Sequence, residues 1–257
     1  MPYLMTVDIG NSDISVGVFA NGDTRPKATW RMETRSRRTK DEYGLLLEKT
    51  ASHYGFDIKD ICHVIVSCVV PLALKPFFDG CVEYINVTPV VLGHGVKTGI
   101  KIQYNGKDGL PTDRVANLAA VVQQFPLGAV VVDCGTLINL DVVGKGGVYM
   151  GGNILPGPLL MHQALIAAIP KMAEVPRGRP DRILGLDMTE SVQNGVYYSA
   201  AGALKMMLAE IQQQSPHALP VIATGGFAEE LATHVAFDHI EPNLTLMGLK
   251  QIHDRNK

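Results

Sequence analysis

Apolar residues in the first part of the chain form short runs of strand length, and a turn of glycine and polar residues closes each run. The runs at Tyr3–Val7, Ile14–Phe19 and Ala28–Met32 contain the branched and aromatic residues that favour strands. The turns between them contain Gly10 and Gly22, and glycine permits tight reversals of the chain. This order predicts three consecutive strands joined by tight turns.

The same order of strands and turns recurs near the middle of the chain. A strand at Ala129–Val132 ends in Asp133, just as the first strand ends in Asp8. A glycine–hydroxyl turn, a strand at Leu137–Val143, a second glycine turn and a strand at Val148–Gly151 follow. Internal repetition of one unit predicts two similar lobes, and we expect a cleft between them.

The remaining pattern adds helices and further strands to each lobe. Thr39 and Glu42 form a capping box, and apolar residues at helical spacing follow it until Gly55. The apolar run His63–Val70 is continuous, which predicts a strand buried on both faces. The first lobe therefore has the order βββαβαβ. We predict further helices at Leu72–Tyr84, Arg114–Gln124, Pro158–Ile169, 189–213 and 243–250, and further strands at Val87–Leu92 and Pro220–Ala223.

These elements predict an α/β fold of two lobes, with the N-terminal lobe at residues 1–115 and the C-terminal lobe at residues 116–257.

The formal net charge of -2, made of mixed charges, provides no electrostatic footprint for nucleic acid. The four cysteines lack the spacing of a metal site, which favours a reducing cytoplasm. Because the sequence shows no signal peptide and no apolar run of membrane-spanning length, we expect no membrane partner.

The turn Gly10-Asn11-Ser12 after Asp8 is the first candidate site. Consecutive backbone N–H groups in such a turn form a concave anion site, and glycine allows a ligand to approach the backbone closely. A carboxylate beside bound phosphate requires a divalent cation between them. The turn therefore predicts a phosphate and magnesium site, with an ordinary hairpin as the alternative.

The stretch Thr112-Asp113-Arg114 at the start of a predicted helix is the second candidate. Thr or Asp at this position is a common N-cap, which is the structural alternative. In the functional interpretation, Asp113 accepts a proton in the cleft between the lobes, and Arg114 binds a carboxylate or phosphate in a bidentate fork.

Two further glycine loops and one basic run complete the candidate set. The loop Gly151–Gly157 precedes a helix, where backbone N–H groups and the helix dipole favour phosphate. Gly225 and Gly226 form another strand-to-helix turn. The basic run Arg35–Lys40 is interpreted as a solvated loop, with phosphate binding as the alternative. Together these parts predict phosphoryl transfer, which depends on positioning and charge neutralisation.

Neither a Walker-type loop nor a dinucleotide-binding GxGxxG motif is present in the sequence. Instead, the duplicated strand-turn-strand units resemble the superfamily of acetate and sugar kinases, actin and heat-shock ATPases. Within it, the chain resembles the type III pantothenate kinases over almost its full length. The matching segments are VDIGNS (7–12), Trp30 and Arg31 with Thr39, Asp41, Glu42 and Tyr43, VSCVVP (66–71), Tyr104, DRVAN (113–117), VVDCGT (131–136), GGNILPG (151–157), Thr189 with Gly195, ATGG (223–226) and PNLTLMGLKQIHDRN (242–256).

The resemblance implies ribonuclease-H-like, actin-type lobes with mixed five-stranded sheets. It implies a kinase that uses ATP and Mg²⁺ to phosphorylate the terminal hydroxyl of pantothenate, the first step of coenzyme A synthesis. Asp113 would be the base, Asp8 would bind Mg²⁺, and Asp133 would bind a monovalent cation, K⁺ or NH₄⁺. The family is usually a homodimer with its substrate pocket near the partner subunit. The implied ligand-binding residues are Asp8, Ile9, Gly10, Asn11, Ser12, Asp13, Ile14, Ser15, Gly135, Thr136, Gly225 and Gly226 for ATP and Mg²⁺, and Tyr104, Pro111, Thr112, Asp113, Arg114 and Thr189 for pantothenate.

The chain departs from the family pattern at a few positions. Pro111 and Thr112 precede Asp113 where the family usually has glycine followed by a small residue. Ile138 and Asn139 stand where it usually has threonine, and Ser199 where it usually has glycine. We interpret these departures as changes around the acceptor pocket. They leave open a kinase for another hydroxy acid and a non-catalytic, nucleotide-binding regulator.

Overall fold

The structure is a computed structural model that describes residues 2–102, 109–169 and 175–257. It divides into two compact units, residues 1–124 with 243–257, and residues 125–242. The sequence-based boundary differs, because it gave residues 116–124 and 243–257 to the C-terminal lobe. Both segments are helical and pack on the first sheet. The cleft between the lobes stays a prediction, and Tyr104 lies outside the described residues.

The first unit contains a mixed five-stranded sheet of order β3-β2-β1-β4-β5. Its first three strands are antiparallel neighbours, as the alternation of apolar runs and tight turns predicts. Strands β4 and β5 are added in parallel beside β1. The strands are β1 (Tyr3–Ile9), β2 (Asp13–Ala20), β3 (Ala28–Glu33), β4 (Ile61–Cys68) and β5 (Val90–Val91).

Helices cover both faces of this first sheet. Helix α1 (Lys40–His53) begins with the predicted capping box on Thr39, and with α2 (Pro71–Gly80) it buries one face around Tyr43 and Phe77. The other face packs against α3 (Thr112–Val122) and α7 (Leu244–Arg255) through residues that include Phe19 and Leu249. A strand with both faces covered is apolar throughout, and this explains the continuous run in β4.

The second unit repeats the strand order of the first. Its sheet has the order β10-β9-β6-β7-β8, with β6, β7 and β8 antiparallel and β9 and β10 added in parallel beside β6. The predicted duplication, with two mixed five-stranded sheets, is therefore confirmed. The strands are β6 (Gly128–Cys134), β7 (Leu137–Gly144), β8 (Val148–Pro156), β9 (Val221–Thr224) and β10 (His239–Ile240).

Three described helices belong to the second unit: α4 (Pro158–Ala168), α5 (Met188–Gln214) and α6 (Ala228–Leu231). Helices α5 and α6 pack on the sheet in one apolar core, to which Tyr197 and Leu231 contribute. No described helix combines the length and the apolar character needed to cross a membrane.

Some predicted element boundaries are wrong. Strand β5 has two residues instead of the six predicted at Val87–Leu92. The helix predicted to reach Tyr84 ends at Gly80 and continues as one π-helical turn, Cys81–Ile85. Strand β8 extends to Pro156, because it pairs with β7 along its whole length, so most of the predicted Gly151–Gly157 loop is strand.

Candidate active site

The turn after β1 is held in shape by hydrogen bonds to its own backbone. The Gly10 N–H donates to the Asp13 carbonyl at 3.0 Å. The Thr34 hydroxyl donates to the Gly10 carbonyl at 2.7 Å, and the Thr34 N–H donates to the Ser12 carbonyl at 2.9 Å. The Gly10 and Ser12 carbonyl groups of the turn thus both accept hydrogen bonds from Thr34, the residue directly after β3. Thr34 was not selected from the sequence, since a lone threonine after a strand carries no motif.

The side chains of this turn fall into two groups. Asn11, Ser12 and Asp13 are exposed, and Asp8 is half-buried at the end of β1. Ile9 and Ile14 are fully buried in the core of the first unit. Only backbone atoms of these two isoleucines are therefore available to a ligand. A Cβ added at Gly10 would lie 3.1 Å from the Asp13 carbonyl oxygen, so glycine also suits the tight reversal.

The basic run after Thr34 is engaged locally at two of its arginines. Arg35 pairs with the Glu33 carboxylate at 2.7 Å, and Arg38 stacks on the Tyr43 ring with its guanidinium carbon 5.3 Å from the ring centroid. These contacts favour a structural role for Arg35 and Arg38 over phosphate binding.

The start of α3 is attached to the end of β4. Thr112 Oγ1 lies 3.0 Å from Ser67 Oγ and accepts a hydrogen bond from the Cys68 N–H at 3.1 Å. Ser67 is fully buried and lies opposite Asp8 in the parallel pairing of β1 with β4. Because parallel strands end at the same sheet edge, this attachment brings the start of α3 to the edge that carries the first turn. Ser67 escaped selection from the sequence, since it lies inside an apolar run.

Asp113 occupies the first turn of α3. The N-cap is Pro111, which provides no side-chain hydrogen bond, so the N-cap alternative for Thr112 and Asp113 is wrong. One carboxylate oxygen of Asp113 accepts from the Arg114 N–H at 2.8 Å, which fixes the orientation of the carboxylate. The Arg114 side chain is only 3% exposed. A buried guanidinium stays charged and must therefore be compensated by its surroundings.

The second unit has its own acidic turn at the end of β6. Asp133 lies opposite Thr224 of β9, and its carboxylate faces the two glycine turns nearby. A Cβ at Gly225 would lie 2.6 Å from Asp133 Oδ1, and a Cβ at Gly135 would lie 3.7 Å from the same oxygen. Gly225 has φ +88°, which favours glycine independently. The carboxylate therefore lies in a cradle that a side chain at Gly225 would fill.

Backbone hydrogen bonds join three loops around this cradle. The Gly157 N–H donates to the Thr136 carbonyl at 2.9 Å, and the Phe227 N–H donates to the Cys134 carbonyl at 2.9 Å. A Cβ at Gly157 would collide with the Gly135 carbonyl oxygen, so glycine is required at this crossing. The predicted sites at Gly135, Thr136, Gly225 and Gly226 therefore lie in loops that the second unit brings together.

Cys134 is fully buried between these turns. Burial, with a smaller contribution from the nearby Asp133 carboxylate, raises the pKa of its thiol to about 12. The group is therefore a neutral thiol at physiological pH, and thiolate chemistry is excluded at this position.

A pocket in the second unit lies beside the loop that follows β9 and carries Phe227. It encloses about 680 Å³, part of it open to solvent, and Phe227 and Pro158 provide an apolar ring surface. Polar groups converge on it from Arg177, Gln193 and Glu230. An apolar surface with a few polar groups is the usual composition of a site for a flat organic ligand. Neither Phe227 nor Arg177 was selected from the sequence, because each is a single residue outside a motif.

Thr189 belongs to a different part of the second unit. It is half-buried in the first turn of α5, where Asp187 caps the helix by accepting from the Glu190 N–H at 2.8 Å. Arg182 pairs with Glu190 at 2.7 Å and closes the loop before the helix. Of the predicted pantothenate ligands, Pro111, Thr112, Asp113 and Arg114 belong to the first unit and Thr189 to the second.

Not all of the positions at which the chain departs from the family pattern can line an acceptor pocket. Ile138 is fully buried in the core of the second unit, so its side chain cannot line an acceptor pocket at the surface. Asn139 is half-buried opposite Asp133, and Ser199 is exposed on α5. The interpretation of Ile138 as an acceptor-pocket residue is therefore wrong, because its strand position points it into the core.

The donors at the first turn fit magnesium. Among the described residues no group of three or more His, Cys, Asp or Glu is arranged to hold a metal ion. Magnesium in kinases is typically held by one or two carboxylates together with substrate phosphates and water, and does not require an all-protein cage. The half-buried Asp8 carboxylate beside an exposed turn with Asn11 and Ser12 matches that requirement.

Solved structures share this fold over nearly the whole chain. A putative Baf family transcriptional activator from Campylobacter jejuni matches with a TM-score of 0.59 and 18% identity, covering 98% of each chain. A ROK family glucokinase from Streptomyces griseus, solved with glucose and AMPPNP, matches with a TM-score of 0.53 and 13% identity, covering 96% of this chain and 97% of the other. The duplicated five-stranded sheets thus place the chain in the fold class of these two proteins.

Sequence comparison identifies the family within that class. The family model for type III pantothenate kinase matches residues 4–210. A type III pantothenate kinase from Moorella thermoacetica is 34% identical over 254 residues, covering 98% of this chain and 99% of the relative. The chain belongs to the type III pantothenate kinase family, which confirms the resemblance recognised in the sequence.

Proposed function

We propose that this protein catalyses the reaction for which its family is named, the ATP-dependent phosphorylation of pantothenate to 4'-phosphopantothenate in coenzyme A synthesis. Family membership supplies the substrates. The observation that carries the assignment to this chain is the contact path from Asp8 through Ser67 and Thr112 to Asp113, which joins a phosphate turn to a carboxylate. Phosphoryl transfer to an alcohol requires a turn that binds the phosphates and a carboxylate that accepts the hydroxyl proton, and this path joins the two.

In the first unit, the turn after β1 binds the ATP phosphates. Backbone atoms of residues 9–15 and the side chains of Asn11 and Ser12 contact the phosphates, and Asp8 holds Mg²⁺. When bound, Mg²⁺ neutralises the phosphate charge. Asp113 accepts the proton of the pantothenate hydroxyl, which requires hydrogen-bond reach between the two groups. The Arg114 N–H keeps the carboxylate oriented for that step.

Recognition of pantothenate is proposed for Arg114, Tyr104, Thr189 and the backbone at Pro111. The Arg114 guanidinium is the group that suits the pantothenate carboxylate, since its planar fork matches two oxygens.

In the second unit, Asp133 holds a monovalent cation, K⁺ or NH₄⁺. The cradle around its carboxylate supports this role, because Gly225 leaves space that any other residue would fill. Gly135, Thr136, Gly225 and Gly226 contact ATP through the joined loops. The pocket at Phe227 suits the adenine ring, which binds to flat apolar surfaces.

We propose a homodimer formed through the second unit. Strand β8 lies at the edge of its sheet and exposes Met150 and Ile154, and helix α4 contains no charged residue and exposes Leu165. An exposed apolar edge strand is a surface that proteins usually cover. The proposal includes a cytoplasmic location, supported by four free thiols and by the use of ATP.

The test is a coupled ATP-consumption assay with pantothenate and a panel of other small hydroxy acids, together with a binding measurement for ATP. Turnover with pantothenate well above that with the panel is expected. Turnover with another hydroxy acid alone would show that the acceptor differs. Binding of ATP without turnover on any acceptor would show a nucleotide-binding regulator instead.

A further inference from the structure

We propose that Thr112 is a positioning residue whose hydroxyl sets the base Asp113 against the phosphate turn, and that it is not a ligand of pantothenate. The inference rests on the proposed function for the role of Asp113. It concerns the junction of the Thr112 side chain with Ser67 and Cys68 at the end of β4.

The Thr112 hydroxyl has partners within the protein for both of its hydrogen-bonding functions. Its oxygen accepts from the Cys68 N–H at 3.1 Å. It shares a hydrogen bond with Ser67 Oγ at 3.0 Å and lies 3.4 Å from the Cys68 carbonyl oxygen. A hydroxyl has one hydrogen to donate, and this junction uses it. The hydroxyl therefore bonds to residues at the end of β4 and has no hydrogen left to donate to a ligand.

Ser67 makes this junction costly to break. Its side chain is fully buried, so water cannot replace Thr112 as its partner. A buried hydroxyl that loses its partner is left unsatisfied, which is unfavourable. Ser67 also lies opposite Asp8 in the β1–β4 pairing, and the Val69 N–H donates to the Ile9 carbonyl at 3.0 Å just beyond. The junction therefore fixes α3 to the strand edge that carries Asp8.

The rest of α3 is held independently of this junction. Thr245 on α7 donates to Asn117 Oδ1 at 2.7 Å, and the Gln251 amide donates to the Ala120 carbonyl at 3.3 Å. The N-cap Pro111 contributes no side-chain hydrogen bond at the first turn. Loss of the Thr112 hydroxyl should therefore loosen the turn that carries Asp113, while α7 keeps the helix body in place.

Loosening of that turn acts on the chemical step. Displacement of a catalytic group by about 1 Å can cost about 100-fold in rate, because proton transfer depends on alignment. Binding of ATP depends on the turn after β1, and the Arg114 side chain proposed to bind pantothenate is buried and therefore held by the packing around it. Thr112 should therefore affect kcat more than KM, whereas a lost substrate contact would raise the KM for pantothenate.

The test compares Thr112→Val, which removes the hydroxyl at nearly constant volume, with Thr112→Ser, which keeps it. Thr245→Val is the matched control, because it also removes a threonine hydroxyl that holds α3, but at the helix body. We expect Thr112→Val to lower kcat about tenfold or more with both KM values within about threefold. Thr112→Ser should restore kcat to near the wild-type value, and Thr245→Val should leave kcat unchanged.

Hydrogen exchange provides a readout that does not need activity. Thr112→Val should raise the exchange rate of the Arg114 and Val115 amides, whereas Thr245→Val should not. An unchanged kcat, a raised KM for pantothenate at constant kcat, or an equal kcat loss in Thr245→Val would overturn the proposal. Absence of wild-type turnover would refute the proposed function alone. Unchanged amide exchange in Thr112→Val would refute the junction in either case.

Discussion

The Thr34 hydroxyl donates to the Gly10 carbonyl at 2.7 Å, and this bond links β3 to the turn proposed to bind phosphate. Removal of the hydroxyl in Thr34→Val should free the turn and raise the KM for ATP several-fold, since one hydrogen bond contributes about 1 kcal/mol. Steady-state kinetics at varied ATP measures the effect. Thr29→Val, on the strand β3 that directly precedes Thr34, is the control and should behave as wild type. An unchanged KM for ATP in Thr34→Val would show that the turn keeps its shape without this bond.

Asp113→Asn should lower kcat by about 10²–10⁴-fold, the usual contribution of general acid–base catalysis, because the amide cannot accept the hydroxyl proton. Binding of ATP, measured by calorimetry, should stay near the wild-type value. Asp60→Asn is the matched control. Asp60 is exposed and directly precedes β4, at the end of that strand remote from the Ser67 and Cys68 contacts with α3. Normal turnover of Asp113→Asn would eliminate this residue as the base.

Asp133→Ala should abolish the proposed activation by K⁺ or NH₄⁺, because it removes the carboxylate in the glycine cradle. Initial rates are measured with K⁺, NH₄⁺ or Na⁺ as the only monovalent cation. The wild type should discriminate among these ions and the variant should not. If the variant keeps the wild-type dependence, the cation binds elsewhere.

Gly225→Ala and Gly226→Ala form a matched pair of adjacent substitutions. Gly225 has φ +88°, and a Cβ there would lie 2.6 Å from Asp133 Oδ1 and from the Cys134 carbonyl group, whereas a Cβ at Gly226 has no atom within 4 Å. Gly225→Ala should lower the free energy of unfolding by about 1–3 kcal/mol. Gly226→Ala should change it by less than about 0.5 kcal/mol. Chemical denaturation measures both, and equal effects would contradict the cradle.

His253 should make stability depend on pH. Burial lowers the pKa of its imidazole, and Lys257 and His63 lower it further while Asp254 raises it. Because the folded-state pKa lies below the unfolded value near 6.5, the unfolded state binds the proton more readily. The contribution to stability is complete above about pH 6.5 and is lost as pH falls towards the folded-state pKa.

Thermal unfolding between pH 7.5 and 5.5 tests this dependence. The fall in Tm on acidification should be smaller in His253→Gln than in the wild type. His94→Gln, an exposed histidine of the same unit, is the control and should keep the wild-type pH dependence. An identical fall in His253→Gln would assign the acid sensitivity to other groups.

The sequence predicted the fold well where local pattern and tertiary environment agree. The two acidic turns, the capping box at Thr39 and the repeated strand order are encoded locally, and all were found as predicted. The boundary between the lobes was not predictable in this way. Nothing in the local sequence of 243–257 shows that α7 packs on α3, because that contact depends on partners more than 100 residues away.

The candidate site was predictable only in part, for a similar reason. Asp8 and Asp113 belong to motifs and carry recognisable chemistry. Ser67 also lies in a matching segment, but its role, like those of Thr34 and Phe227, depends on hydrogen bonds or loops formed in three dimensions. Ile138 was misplaced because a substitution within a motif was interpreted as a change at the site. Its strand face is decided by the pairing of β7, and that pairing directs it into the core.

Because α7 comes from the end of the chain, the first unit can complete its fold only late in synthesis. Its Gly248 crosses α3 so closely that a Cβ would collide with the Ala116 carbonyl, and Leu246, Leu249 and Ile252 complete the apolar layer over Leu4 and Phe19. All of residues 125–242 must leave the ribosome before this layer can close. Until then α3 alone covers this face of the sheet that carries the turn after β1, and chaperone demand should peak at that stage of translation.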